Sequence, residues 1–291
     1  MTNKTFILLL LSFLSLLTLT ISCRQHRKPK SIIFIRSTKT DEGLSKKKQY
    51  EKNEIRDDNQ CLEDSLFYIS VPAPLSYCSE QIIQRKAYLV SYNKDTKIPN
   101  WVAWILTADH IDGPYKRMNN FHEEEEVPEP RATLYDYRGS GWSRGHMCPA
   151  GDNKWNEIAM YESFSLVNVC PQDASLNSGL WNSIEMDCRK WARKYGDVYI
   201  VCGPVFLNKE HETIGMNKVV VPEAFFKVIL RLTPEPAAIG FVVRNNEGKK
   251  KRDQFVNTVD DVERITGMDF FPALPDSIEN VVEATASLND W

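Results

Sequence analysis

The sequence has no surplus of positive charge. Its 291 residues hold 36 Lys and Arg against 39 Asp and Glu, for a formal net charge of −3. A protein that lives by gripping nucleic acid usually shows a basic excess. The balance therefore argues against a static binder, and leaves room for an enzyme with a local basic cleft. No internal repeat and no second domain boundary interrupt the main body of the chain. Seven cysteines are present, but none forms a Cys-x-x-Cys pair, which argues against a structural zinc site. The long apolar run, Ile7 to Ile21, is too short for a comfortable membrane span.

That run follows Lys4 and ends at Thr20-Ile21-Ser22-Cys23, the pattern of a targeting segment. A small residue followed by Cys resembles a bacterial lipoprotein signal, in which Cys23 becomes the lipidated first residue. A cleaved secretory signal and an uncleaved anchor are the alternatives, and all three place the remainder outside the cytoplasm. Residues 1–22 are thus expected to be a signal peptide. Residues 23–60, rich in Lys, Arg, Asp, Glu and Ser, read as a lipid-anchored tether with one short strand at Ser31–Ile35. The folded domain is placed at residues 61–291. Its six cysteines permit disulfides in an oxidising compartment. Isolated buried thiols are the competing expectation for Cys148, Cys170, Cys188 and Cys202.

Within the domain, apolar runs predict strands at Ala87–Tyr92, Trp101–Leu106, Phe164–Val169, Val198–Cys202, Phe225–Leu230 and Ala238–Val243. A helix after Asn177 is marked by Trp181, Ile184, Cys188, Trp191 and Tyr195 at spacings of three and four, and Gly196 ends it. A shorter helix covers Val259–Thr266 before Gly267. Strands outnumber helices, which gives an α+β fold. The acidic stretch Glu123–Glu126 reads as a solvated face.

Asp136 to Ala150 is dense in glycine and functional side chains. Gly139, Gly141 and Gly145 let the backbone bend close to a phosphate. The Arg144 guanidinium matches a phosphate, and His146 can take a proton from water. Alone, Arg-Gly-His more often marks a turn with a hydrogen-bonded histidine. A second segment shifts the balance: a strand ends at Pro171, and Asn177 opens the marked helix with Glu185 eight residues on. An amide oxygen suits Mg²⁺, and Glu185 can accept hydrogen bonds from the ion's water shell. The plainer roles are a helix cap for Asn177 and a surface carboxylate for Glu185. Arg131, Arg138 and Lys154 flank the first motif, while Arg189, Lys190, Arg193 and Lys194 fall on the polar side of the helix. Of these only Arg138 is weighed as a substrate contact.

Together, Ser143-Arg144-Gly145-His146, Val167 to Gln172 and Leu176-Asn177…Trp181…Glu185 resemble the DNA/RNA non-specific endonuclease family of the ββα-metal (His-Me finger) fold. Val201 to Phe206, Val221 to Lys227 and Val262 to Pro275 extend the likeness, which covers roughly residues 80 to 276. The resemblance implies a central antiparallel sheet with flanking helices. It implies His146 as general base, Asn177 as the protein ligand of a hydrated Mg²⁺ (or Mn²⁺), and Glu185 orienting that water shell. Arg144 would bind phosphate. DNA and RNA are the expected substrates, yielding 5′-phosphate products, with the membrane as partner through the lipid; a homodimer and a monomer both stay open. One position departs from the family pattern: Ser143 stands where Asp is usual. The competing class is a nuclease-fold lipoprotein without catalysis, binding nucleic acid or an envelope partner. A third reading is a phosphodiesterase for small substrates.

Overall fold

The computed structural model describes residues 68–291. The expected signal peptide, the tether, the strand at Ser31–Ile35, Cys23 and Cys61 lie outside the described residues.

In chain order the strands are β1 (Gln81–Gln84), β2 (Leu89–Asn93), β3 (Ile98–Leu106), β4 (Ser143–His146), β5 (Val169–Gln172), β6 (Val198–Val205), β7 (Thr213–Ile214), β8 (Val219–Val220), β9 (Ala224–Arg231), β10 (Ala237–Arg244) and β11 (Val256–Asn257). A seven-stranded sheet runs β1-β2-β3-β6-β9-β10-β11, every neighbouring pair antiparallel. β4 and β5 form a separate antiparallel ribbon that pairs His146 with Val169 and Ser143 with Gln172.

The side-chain alternation of a strand explains how this sheet feeds two cores. On β9, Phe225 and Ile229 point to one face, while Phe226, Val228 and Leu230 point to the other. Both sides are covered, so the strand reads as an unbroken apolar run. The first face packs under the β4–β5 ribbon and a helix at Asn182–Tyr195, through Ile184, Cys188 and Trp191. The opposite face packs under helices at Val259–Thr266 and Asp276–Val282, through Val259, Val262 and Val282.

Other short helices are Ala108–Ile111 (α1), Leu134–Tyr137 (α2), Glu157–Glu162 (α3) and Ala174–Leu176 (α4), so the three packed helices become α5, α6 and α7 in turn. The predicted bounds of α6 hold. Thr258 Oγ1 accepts from the Asp261 amide at 3.0 Å, and Gly267, at φ 72°, closes the helix in the left-handed region.

The strand expected over Phe164–Val169 is corrected. Leu166–Asn168 is a 3₁₀ turn, and the strand begins only at Val169. The cause is Asn168, which is fully buried. Its amide accepts from Cys148 N at 2.8 Å and donates to Cys148 O and Ser163 O, each at 2.8 Å. Those bonds satisfy backbone groups that an extended chain would leave to a neighbouring strand. The acidic stretch is not wholly solvated either: Arg85 Nη2 lies 2.5 Å from Glu124, which also accepts from Ser165 Oγ at 3.0 Å. Cys78, Cys148, Cys170, Cys188 and Cys202 are free thiols, the last four buried.

Candidate active site

The entry to α5 differs from the simple helix start that the sequence suggests. Asp173, not Asn177, is the cap: its carboxylate accepts from Ser175 N and Leu176 N, both at 2.9 Å. After α4 the chain makes a π-turn over Asn177–Trp181, with Gly179 at φ −102°, ψ −106°, before α5 proper begins. A second segment wedges this turn open. Leu180 N donates to Gly248 O at 3.1 Å. A Cβ on Gly179 would stand 2.4 Å from that same oxygen, so the approach requires glycine. Such insertions recur where a helix must re-aim a functional side chain. Buried Asn245 fixes the wedge: it accepts from Asp173 N at 2.8 Å and donates to Pro171 O and Pro222 O at 3.1 and 2.9 Å.

Asn177 is half-buried on this turn, and its backbone N–H points to Asp173 O, at 2.9 Å, and to Ala174 O. Among the described residues no group bonds its side-chain amide, which is left for a ligand. A neutral oxygen ligand with a carboxylate two turns along fits Mg²⁺, which takes few protein oxygens and keeps most of its waters.

His146 ends β4 with 6% of its surface exposed. Its ring is held between Phe121 and Phe164, at centroid distances of 5.0 and 4.9 Å. Nε2 is buried with no hydrogen-bond partner. Burial, followed by the charges of Arg117 and Arg144, pushes the imidazole down to about 3. At neutral pH the ring is uncharged and able to accept a proton. Gly145 permits the ribbon to close beside it, since a Cβ there would lie 2.3 Å from Gln172 Oε1.

Two arginines reach the histidine by stacking on its aromatic walls. Arg144 Cζ lies 4.3 Å from the Phe121 centroid, and Arg117 Cζ lies 5.4 Å from that of Phe164. Both are exposed. Arg117 escaped the sequence reading because it sits in an irregular segment with no periodicity and no motif around it. Arg138, the other candidate, is not drawn into this cluster. It is exposed and lies over Tyr135 of its own turn, 5.4 Å from the centroid.

Glu185 is part-buried on α5, its side chain 12% exposed. Burial pushes its carboxyl up to about 7, against the pull of Lys227; Asp152 raises it further, while Arg189 and Arg117 oppose. Arg189 is a correction to its expected place on the solvated side. Its side chain is 16% exposed, bonded to Asp152 Oδ1 at 2.7 Å and 4.0 Å from Glu185. Asp152, buried, also accepts from Trp104 Nε1 at 3.2 Å. Behind them lies Lys227, 0% exposed, with Nζ 4.5 Å from the Trp181 centroid and 5.3 Å from that of Trp104. Nζ has no hydrogen-bond partner. Burial disfavours its charge, but Cys202, Glu185, Cys188 and Asp152 favour it and hold the ammonium above its ordinary value.

The arrangement joins a neutral imidazole, two exposed guanidinium groups and a carboxylate on one side of the sheet. The chain as a whole is similar to known proteins. The model of the family described as DNA/RNA non-specific endonuclease matches residues 70–277. The mitochondrial nuclease EXOG of Mus musculus is 38% identical over 205 residues, covering 64% of this chain and 56% of that protein. The mitochondrial endonuclease G of Bos taurus is 34% identical over 207 residues, covering 66% and 69%. The chain thus spans little more than half the length of the mouse relative. A solved structure, of the EndoG/EndoGI complex, aligns with a TM-score of 0.68 at 27% identity, covering 74% of this chain and 94% of that one. The ribbon, the following helix and the antiparallel sheet are the ββα nuclease fold, and the chain belongs to the DNA/RNA non-specific endonuclease family.

Proposed function

We propose that this chain is a metal-dependent endonuclease that hydrolyses the phosphodiester bonds of DNA and RNA, leaving 5′ phosphates, with little regard to base sequence. The observation that carries the reading is a neutral, enclosed His146 within the field of two exposed arginines. Attack on a phosphodiester needs a base for the water and positive charge for the phosphoryl oxygens. His146 takes the proton from water. Arg144 and Arg117 hold the phosphate and offset its growing charge. Asn177 would hold Mg²⁺, or Mn²⁺ in its place, and Glu185 would order the waters around it. When bound, the ion supplies Lewis-acid stabilisation of the leaving oxygen. These groups address the backbone rather than base edges, which suits an enzyme without sequence preference.

A second reading, a nuclease fold that binds without cutting, rests on Ser143. A carboxylate beside His146 would favour the protonated ring. Serine lacks that charge, so the imidazole stays neutral and catalysis is expected to survive. The purified chain should nick supercoiled plasmid and degrade RNA when Mg²⁺ is present. The Ser143→Asp variant should show a rate within about tenfold of the natural protein, a difference of ~1.4 kcal/mol. An inert natural protein beside an active Ser143→Asp variant would make the binding role the better one.

The N-terminal reading belongs to the same proposal: the domain is held at the cell envelope by lipid on Cys23, after loss of residues 1–22. Mass spectrometry of the mature protein should find two or three acyl chains on Cys23, since a single chain holds a membrane only marginally. A soluble product beginning at another residue would leave simple secretion.

A further inference from the structure

The face of the sheet remote from His146 carries a second concentration of charged groups. Asp260 and Glu263 lie one turn apart on α6, and Glu283 follows the end of α7. Each offers a carboxylate oxygen within 4.8 Å of the other two. Glu283 is the telling member. It is 6% exposed, its Oε1 has no hydrogen-bond partner, and its carboxylate is aimed at the other two. A buried carboxylate without a donor is strongly disfavoured unless something compensates it.

Its neighbours add to the cost. Burial and the carboxylates of Glu263, Glu279, Asp260 and Asp269 push the Glu283 carboxyl up to about 8. The basic residue on that helix, Arg264, is engaged by Asp261 at 2.8 Å. Glu263 is fixed in place, since its Oε1 accepts from Phe270 N at 2.7 Å. The backbone holds the two helices together at the same point, Asp260 N donating to Glu283 O at 3.2 Å.

We propose that Asp260, Glu263 and Glu283 form a structural calcium site, separate from the catalytic magnesium site on the other face. The donors are all hard oxygens. Calcium takes six to eight oxygen ligands in flexible geometry and accepts several carboxylates, whereas magnesium is usually held through only one or two. Exposed Asp260 leaves an open side for the waters that complete the shell. The ion clamps the start of α6 to the end of α7, and both helices pack on the sheet through Val259, Val262 and Val282.

Melting of the purified full chain, with calcium at about 1 mM and with a chelator, tests the site. Calcium should raise Tm by about 5 °C, as expected for an ion present well above its dissociation constant. The rise should fall by at least half in Asp260→Asn, a change at an exposed residue that spares the fold, and vanish in Glu283→Gln. It should persist in Asn177→Ala, which removes the catalytic ligand. Absence of any calcium shift overturns the site. So does a shift lost in Asn177→Ala but kept in Asp260→Asn, which would place the ion at the catalytic centre. A Tm that rises with falling pH and ignores calcium would mean that a proton on Glu283, and no metal, relieves the cluster.

Discussion

His146→Ala should lower the cleavage rate by about 10²–10⁴-fold, the usual worth of a positioned general base. Folding and DNA binding should survive, because the arginines that would hold phosphate remain. A variant keeping more than a tenth of the natural rate would remove His146 from the mechanism. The pH profile adds a sharper test. With its imidazole pushed down to about 3, His146 is already neutral well below pH 6, so it sets no limb near 6.5. Glu185, pushed up to about 7, is the group that changes charge there. The rate constant kcat/KM should therefore rise as pH passes through about 7, and Glu185→Gln should flatten that limb. Stability carries its own signature. A folded-state value below the unfolded one contributes stability that is complete above about 6.5 and is lost as pH falls toward 3. His146→Ala should therefore melt less acid-sensitively than the natural protein.

Asn177→Ala should cost more than any other change to the metal site. The side-chain amide is the sole protein ligand proposed for the ion, and the π-turn that presents it is locked by Gly248 and Asn245. Loss of an outer partner such as Glu185 typically lowers metal affinity or activity about 10–100-fold. Asn177→Ala should exceed that, moving the Mg²⁺ concentration for half-maximal rate beyond the accessible range. EDTA should stop the natural protein. Full activity in EDTA, or an unchanged Mg²⁺ dependence in Asn177→Ala, would sink the assignment.

Much of this was legible in the chain because local and tertiary demands coincide. The limits of α6 follow from Thr258 and Gly267, whose capping preferences need no distant partner. The runs that became β6, β9 and β10 are read correctly, each strand extending past the apolar core of its prediction. The ribbon and helix with His146 and Glu185 were visible as spaced motifs. The failures share a cause: long-range contacts decided the outcome. Asn168 turns the Phe164–Asn168 segment by bonding to Cys148, twenty residues earlier. Asn177 lost its capping role to Asp173 once Gly248 entered the helix start. Arg189 left the polar face because Asp152 pairs with it from another element. Lys227 could have been found from strand alternation alone, since it shares a face with Phe225 and Ile229. A lysine aimed at a core is a signal in itself.

That lysine divides the charges around the site by their exposure to ionic strength. Arg117 and Arg144 stand in water, where added salt would compete for the phosphate proposed to bind there and screens over about 8–10 Å. Lys227 is walled in by two indoles, and the counter-ions of the buffer do not reach it. The field it exerts on Glu185 is therefore set by the fold and insensitive to the medium. Salt would loosen the proposed hold on the polymer and weaken the pull of Arg117 and Arg144 on His146, while the part of the field that Lys227 sets at Glu185 persists.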